Sequence, residues 1–314
     1  MTRRPTGFVL LAVLWVMVGV GVTGLALALA ARRATAAARN RMGAMAAAWG
    51  AEDCLARAEA EIAAVLLAQT ATDGGPRGAG APTWASLDRA LTDAPVSGDG
   101  RCTVTAAPSG VTVNVNTADQ ELLTALMQAL GVARPRTDSL VDALLDWRDA
   151  DAIQRPNGAE AGWYAGHHRI APRNGPFADA REIERVRGAR DVPGIDSVLG
   201  VTEGRIVLDR APLAVIAALP GFSAEAVARV AEHRARGAPI TDLLSLSAEL
   251  SPGARAALDA RYPDLVRLTT TEPDAWIVTA RGTAGAPAVT AVVEVRLVRA
   301  GSRAAVVRRR TWIE

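Results

Sequence analysis

The chain has 314 residues, of which 50% are apolar, 22% charged and 4% aromatic, with a formal net charge of +2. Removing Arg3 and Arg4 alone would bring that charge to zero, so no basic tract marks the chain for nucleic acid or anionic lipid. Its two cysteines, Cys54 and Cys102, lack metal-site spacing; in an oxidising compartment they could pair and close a loop worth about 4 kcal/mol in chain entropy, and otherwise they are two buried thiols.

The chain begins with a short polar, basic stretch, Met1-Thr2-Arg3-Arg4-Pro5-Thr6-Gly7, and residues 8–31 then run without a charge. About 24 residues at 1.5 Å each make roughly 36 Å of helix, enough to cross a ~30 Å hydrocarbon core with tilt. Three readings compete: a secretory signal cut near Ala28-Leu29-Ala30, a plain signal anchor, and a leader that ends in Gly7 and leaves the helix in place with Phe8 first. An ordinary signal core is shorter, and Gly7-Phe8 stands at the basic-to-apolar junction that the third reading requires. Charge does not orient the helix, because Arg3 and Arg4 flank one end while Arg32, Arg33, Arg39 and Arg41 flank the other.

Residues 32–69 continue as helix, rich in Ala, with Leu55, Ile62, Val65 and Leu66 on one stripe and Glu52, Asp53, Arg57, Glu59 and Glu61 on the other faces. That stripe needs a partner, most economically a sheet of the same domain. Residues 70–100 read as a long loop with a short helix around 84–91. Cys102, Val104 and Ala106 alternate, as do Val111, Val113 and Val115 after Pro108-Ser109-Gly110, which predicts two strands joined by a turn.

In Asn114-Val115-Asn116-Thr117-Ala118-Asp119, Asn116 or Thr117 is the predicted cap of a helix starting at Ala118 or Asp119 and ending before Gly131. A second helix is expected over 138–147. The strand, cap and helix recur at Ile206-Val207-Leu208-Asp209-Arg210-Ala211-Pro212, an offset of about 93 residues (206 minus 113). Leu219-Pro220-Gly221-Phe222-Ser223, and more loosely the run 174–188, resemble helix-hairpin-helix turns, so a membrane-anchored DNA-binding protein is the alternative function. Ser223 replaces the second glycine of a phosphate-gripping turn, and the following helix is mixed in charge. Three C-terminal segments (276–280, 288–298 and 304–313) predict antiparallel strands, completing an α+β plan.

Asp146-Trp147-Arg148-Asp149-Ala150-Asp151 comes at a helix end and Arg155-Pro156-Asn157-Gly158-Ala159-Glu160 follows in a loop. Asp149, Asp151 and Glu160, with Asn157 or carbonyls, could supply hard oxygen ligands to calcium, though not in EF-hand order; a solvated loop neutralised by Arg148 and Arg155 explains the same residues. No nucleophile or acid/base grouping supports an enzyme, and His167, His168 and His233 read as surface residues.

Taken in order, Gly7-Phe8, Asn114-Val115-Asn116-Thr117-Ala118, the two acidic motifs, Pro172-Arg173-Asn174-Gly175-Pro176-Phe177 and Val186-Arg187-Gly188 make the chain resemble the protein K family of the general (type II) secretion pathway, the large minor pseudopilins. Ala12, where most pilin-like chains carry glutamate, fits that family, and Asp209-Arg210-Ala211 departs from a second Asn-Thr-Ala run. The resemblance implies a leader (1–7), a transmembrane helix (8–31), a periplasmic stalk helix (32–70), a loop and first strands of a pilin-like body (71–118), a large all-helical insertion (119–268) and C-terminal antiparallel strands (269–314). It further implies cleavage after Gly7 by the prepilin peptidase, N-methylation of Phe8, and a single-pass place in the bacterial inner membrane with the body in the periplasm. Minor pseudopilins I and J and the major pseudopilin are the implied partners, with calcium on Asp149, Asp151 and Glu160. No nucleic acid is expected.

Overall fold

The computed structural model describes residues 6–71, 82–93 and 102–314. Residues 1–5 of the expected leader lie outside the described residues, as do parts of the 70–100 loop.

The body is built on one unbroken helix, α1 (Thr6–Ala71). Its apolar stripe finds the sheet that the sequence asked for: Ala51, Leu55, Ala58, Ile62, Val65 and Leu66 are buried with Trp276, Val278, Ala280, Val293, Val295 and Leu297. After a 3-10 turn at Trp84–Ser86 comes α2 (Leu87–Asp93), which packs on β1 (Cys102–Pro108). Cys54 of α1 is joined by a disulfide to Cys102 at the start of β1, with their Cα atoms 6.3 Å apart.

The chain leaves the body after Pro108. The helical domain comprises β2 (Val113–Asn114), α3 (Gln120–Ala129), α4 (Arg134–Arg148), α5 (Ala161–Gly166), α6 (Ile195–Val198) and β3 (Leu199–Gly200), then β4 (Ile206–Val207), α7 (Leu213–Ala217), α8 (Ala224–Ala235), α9 (Leu243–Ala248), α10 (Pro252–Asp259), α11 (Tyr262–Leu268) and β5 (Thr269–Thr270). The body then resumes with β6 (Ala275–Ala284), β7 (Val289–Ala300) and β8 (Arg303–Ile313), all antiparallel, in the sheet order β1-β6-β7-β8.

The predicted hairpin between residues 102–106 and 111–115 does not form. β1 pairs with β6, while β2 pairs in parallel with β3. The alternating valines are buried in the helical core instead, Val113 and Val115 among Leu123, Leu144 and Leu199. The domain boundary therefore falls near 109, not at 118. Ser109 marks it: its N–H donates to the Ala275 carbonyl (2.8 Å) and its hydroxyl accepts from the Ala275 N–H (3.0 Å), tying the exit of the helical domain to its return. Gly110, at φ +79°, passes so close to the Arg205 carbonyl that a Cβ would sit 1.8 Å from it. Two helix starts also move. α3 is capped by Asp119, whose carboxylate accepts from the Leu122 N–H (2.8 Å), not by Asn116 or Thr117. α4 begins at Arg134, four residues earlier than expected, because Pro135 suits a first turn where no donor is needed.

The weak internal repeat is an architectural duplication. β4 pairs in parallel with β5 as β2 does with β3. The Ala118 and Ala211 amides close matching turns onto the carbonyls of Asn114 (3.0 Å) and Val207 (2.9 Å). The carbonyls of Val115 and Leu208, equivalent at the 93-residue offset, each accept from a buried-side guanidinium, Arg148 and Arg234 respectively. Asn116 Oδ1 accepts from the Phe177 N–H (2.8 Å), and the equivalent Asp209 carboxylate accepts from the Ile240 N–H (3.3 Å). Each half thus closes a short parallel pair around helices that bury one shared core.

The tightest approach in the body is at Gly282, where a Cβ would lie 2.2 Å from the Ala47 carbonyl and 2.4 Å from the Ala51 nitrogen. Both are backbone atoms of a helix and cannot swing aside. Gly282→Ala is expected to lower stability by at least about 1–3 kcal/mol in denaturant unfolding, whereas Gly253→Ala, with open space at its Cβ, should leave it unchanged or raised; equal effects of the two would contradict the close packing of α1 on the sheet.

Candidate metal centre and membrane helix

α4 ends at Arg148 and puts Asp142, Asp146 and Asp149 along one side at helical spacing. The loop that follows folds back onto them. Asp142 Oδ2 accepts from the Asn157 N–H (3.0 Å) and its side-chain amide (3.2 Å). Asp146, with a fully buried side chain, accepts from the Arg155 N–H (3.3 Å) and lies 3.4 Å from the Arg155 guanidinium. Gly158 is required there, since a Cβ would fall 2.0 Å from Asp146 Oδ2. Arg187 and Gln154 both donate to the Gly158 carbonyl at 3.0 Å. The end of the loop, Gly158 to Glu160, is thus buried against these carboxylates, while residues 151–154, 156 and 157 stay exposed as a solvated turn.

Its remaining acids are left short of partners. Glu160 is 5% exposed, yet neither of its carboxylate oxygens has a hydrogen-bond partner; Asp149 Oδ1 is likewise buried and unpartnered. Asp151 Oδ1 accepts from the Ile153 N–H (2.8 Å). Burial raises the Glu160 carboxyl above the usual range, and the charges of Asp146, Asp149 and Asp151 push the same way. Asp149 is raised by burial and by Asp151, and Asp146 chiefly by burial. Of the two arginines expected to neutralise these acids, Arg155 does so, lying 3.4 Å from Asp146 and 3.8 Å from Asp149, whereas Arg148 gives its donors to the carbonyls of Val115 and Ala118. Among the described residues no three His, Cys, Asp or Glu side chains converge as a finished ligand set. The donor chemistry nonetheless suits a hard cation: anionic oxygens, desolvated and unsatisfied, beside loop carbonyls. Sequence reading picked out Asp149, Asp151 and Glu160 and missed Asp142 and Asp146. Their spacing with Asp149 was the available signal, and it looks like an ordinary polar helix face.

α1 is the one helix among the described residues long and apolar enough to cross a membrane. From Phe8 through Arg41 every residue is exposed among the described residues, Phe8 and Trp15 by 73% and 69%. The helix meets the body only from Gly43 upward. There Ala47, Ala51 and Cys54 face the sheet, while Met42, Met45 and Trp49, spaced i, i+3, i+7, remain uncovered on the far side. Gly7 lies within the first turns of this helix, so Gly7 and Phe8 adjoin the apolar run that a leader peptidase would leave attached.

The turn that suggested DNA is partly taken up within the protein, although Leu219 and Pro220 line an open cavity together with Arg205, Arg261 and Arg267. Ser223 accepts from the Ala226 N–H (3.2 Å) at the start of α8, and Gly221 (φ +78°) backs onto the Ala257 carbonyl of α10. Glu225 in that first turn accepts from the Ser251 N–H (2.7 Å). The run 174–188 holds a single 3-10 helix, Ala180–Arg185, and not a pair of α-helices. His233 is not a surface residue: its ring packs beside Glu249 (3.0 Å) with only 15% of its side chain exposed.

Residues 100–191, which include the acidic loop, match the family model described as type II secretion system (T2SS), protein K. Among solved structures the chain is similar to one from the GspK-GspI-GspJ complex of the enterotoxigenic Escherichia coli type 2 secretion system, at 17% identity and a TM-score of 0.60, covering 89% of this chain and 99% of that one. No curated protein matches the chain. The segment 100–191 thus matches the protein K domain, and the α+β architecture around it is the fold of that solved chain.

Proposed function

We propose that this protein is a minor pseudopilin of type II secretion that caps the pseudopilus tip and supports export across the outer membrane. The observation that carries the reading is the division of α1: its lower half is apolar and wholly uncovered, and its upper half is the spine of the body. An uncovered apolar helix needs lipid before assembly and other helices after it. The family resemblance supplies the partners, minor pseudopilins I and J and the major pseudopilin, and the similar solved chain comes from a complex named for GspK, GspI and GspJ. The inserted helical domain makes the subunit broad above its stalk, a shape suited to ending a filament. Under this reading the body stands in the periplasm, prepilin peptidase cuts after Gly7, and Phe8 becomes N-methylated.

Asp149, Asp151 and Glu160 would hold calcium in this reading. The cation supplies positive charge to acids that otherwise repel one another, and Glu160 and Asp149 provide the unsatisfied oxygens. Binding would fix the loop against α4.

Two outcomes are expected. Gly7→Ala should stop leader removal and leave a longer, unmethylated chain that fails to copurify with I and J; a normally processed variant, seen by mass spectrometry, would count heavily against the assignment. For the loop, the sign follows from the raised carboxyls. Without a cation, the stability linked to Asp146, Asp149 and Glu160 is fully present below the unfolded carboxylate range and is lost as pH rises through their elevated folded values. Calcium in hundredfold excess over its dissociation constant should therefore raise the melting temperature at neutral pH by about 5–10 °C. The gain should vanish near pH 4 and in Glu160→Gln. Identical melting in calcium and in chelator at pH 7 would remove calcium from the account.

A further inference from the structure

The two edges of the body's sheet are treated differently. On the β1 side, α2 packs along the strand and the disulfide ties its first residue to α1. On the β8 side no further element follows among the described residues, so Arg303–Ile313 is an open edge eleven residues long. A long bare edge is a template for another chain unless it is guarded. This one carries Arg303, Arg308, Arg309 and Arg310 and no acid, and Val306, Val307 and Ile313 are 49%, 51% and 59% exposed.

The register says which groups face outward. The Glu314 N–H donates to Thr290 of β7 (2.9 Å), so by the alternation of an antiparallel ladder Trp312, Arg310 and Arg308 point their amides inward while Ile313, Thr311 and Arg309 present theirs to solvent. The side chains alternate as well. Arg309 pairs with Glu52 of α1 and so lies on the helix face, which places Arg308 and Arg310 on the opposite face. On the helix face, beside Val306, a groove of about 400 Å³ runs between β8 and α1, with Ile62, Leu67 and Leu297 along its apolar floor and Glu59, Ser302 and Arg303 at its margin. Neither Arg308 nor Arg310 has an ion-pair partner within 4 Å among the described residues, although Glu294 of β7 stands opposite Arg310 in the register. One edge therefore offers an apolar groove on one face and unpaired cations on the other.

We propose that β8 is a docking edge that accepts an extended segment of a partner protein in which apolar and acidic residues alternate. The added strand would hydrogen-bond to the outward amides of Arg309, Thr311 and Ile313, set its carboxylates against Arg308 and Arg310, and continue past the bulge at Val307 so that an apolar end reaches the Val306 groove. A second copy of this chain is a poor occupant, because antiparallel self-pairing would set the arginine run against itself. The inference stands on the geometry of the sheet and is independent of the tip-capping reading.

The test uses the full chain in neutral detergent micelles and follows hydrogen exchange of the segment 303–314 by mass spectrometry. The probe is a capped peptide of alternating glutamate and valine; controls are the lysine–valine peptide and micelles doped with phosphatidylglycerol. The glutamate peptide is expected to slow exchange of the segment by on the order of tenfold, and the lysine peptide to leave it unchanged. Thr311→Pro removes an outward donor while sparing the β7 ladder, and should abolish the protection. The double reversal R308E/R310E should transfer it to the lysine peptide, which keeps the idea testable should the proline variant fold poorly. Absence of protection by the glutamate peptide would overturn the proposal. So would equal protection by both peptides, protection surviving in a folded Thr311→Pro variant, or protection by phosphatidylglycerol alone, which would mark the edge as a lipid contact.

Discussion

Everything in this molecule depends on how closely α1 lies on the sheet. At Gly282 and Gly285 the strand backbone touches the helix backbone with no side chain between, which lets the Leu55–Leu66 stripe sink into the face made by β6 and β7. Burial of that stripe, with Trp276 and Trp84 beneath it, holds the helix at one end only. Trp84 Nε1 donates to the Pro273 carbonyl (2.7 Å) and Trp276 Nε1 to the Trp84 carbonyl (2.8 Å), so the indoles satisfy their polar atoms while filling the core. The upper half of α1 is thereby a rigid part of a folded body, and whatever grips the lower half moves the body with it.

The helical domain is held to that body by polar contacts more than by shared core. The Ser109–Ala275 pair closes the neck. Arg210 reaches from the start of the second repeat to Asp88 (2.6 Å) and the Ala85 carbonyl (2.9 Å), and Arg205 pairs with Asp274 (2.6 Å). The two repeats differ most at the acidic loop. Between Arg234 and Ile240 the second repeat needs only a few residues to pass from its carbonyl-capping arginine to its clamped amide. The first repeat spends the whole of 149–176 on the same step, from Arg148 to Phe177. The fold does not require that loop, since the other half closes without one.

Much of this was legible from the sequence, for local reasons. The apolar run, the Leu55–Leu66 stripe and the alternating C-terminal segments each announce themselves through a periodicity contained within a single element. The duplication was visible because strand, turn and helix recur together. What misled was pattern without context. Val111, Val113 and Val115 alternate as a hairpin strand would, but their partners are Leu199 and a helical core far along the chain. Asn116 looks like a helix cap, and the structure spends both ends of its amide on Phe177. Asp142 and Asp146 read as the wet side of a helix until the loop returns to cover them, which nothing local to α4 announces.

The central claim is that α1 stays with the protein as its means of assembly. The most direct measurement is the intact mass, with fragmentation, of the chain purified from membranes of cells expressing the whole secretion system. The account predicts a single species beginning at an N-methylated Phe8. A mature chain beginning near residue 31, with the apolar helix gone, would contradict it.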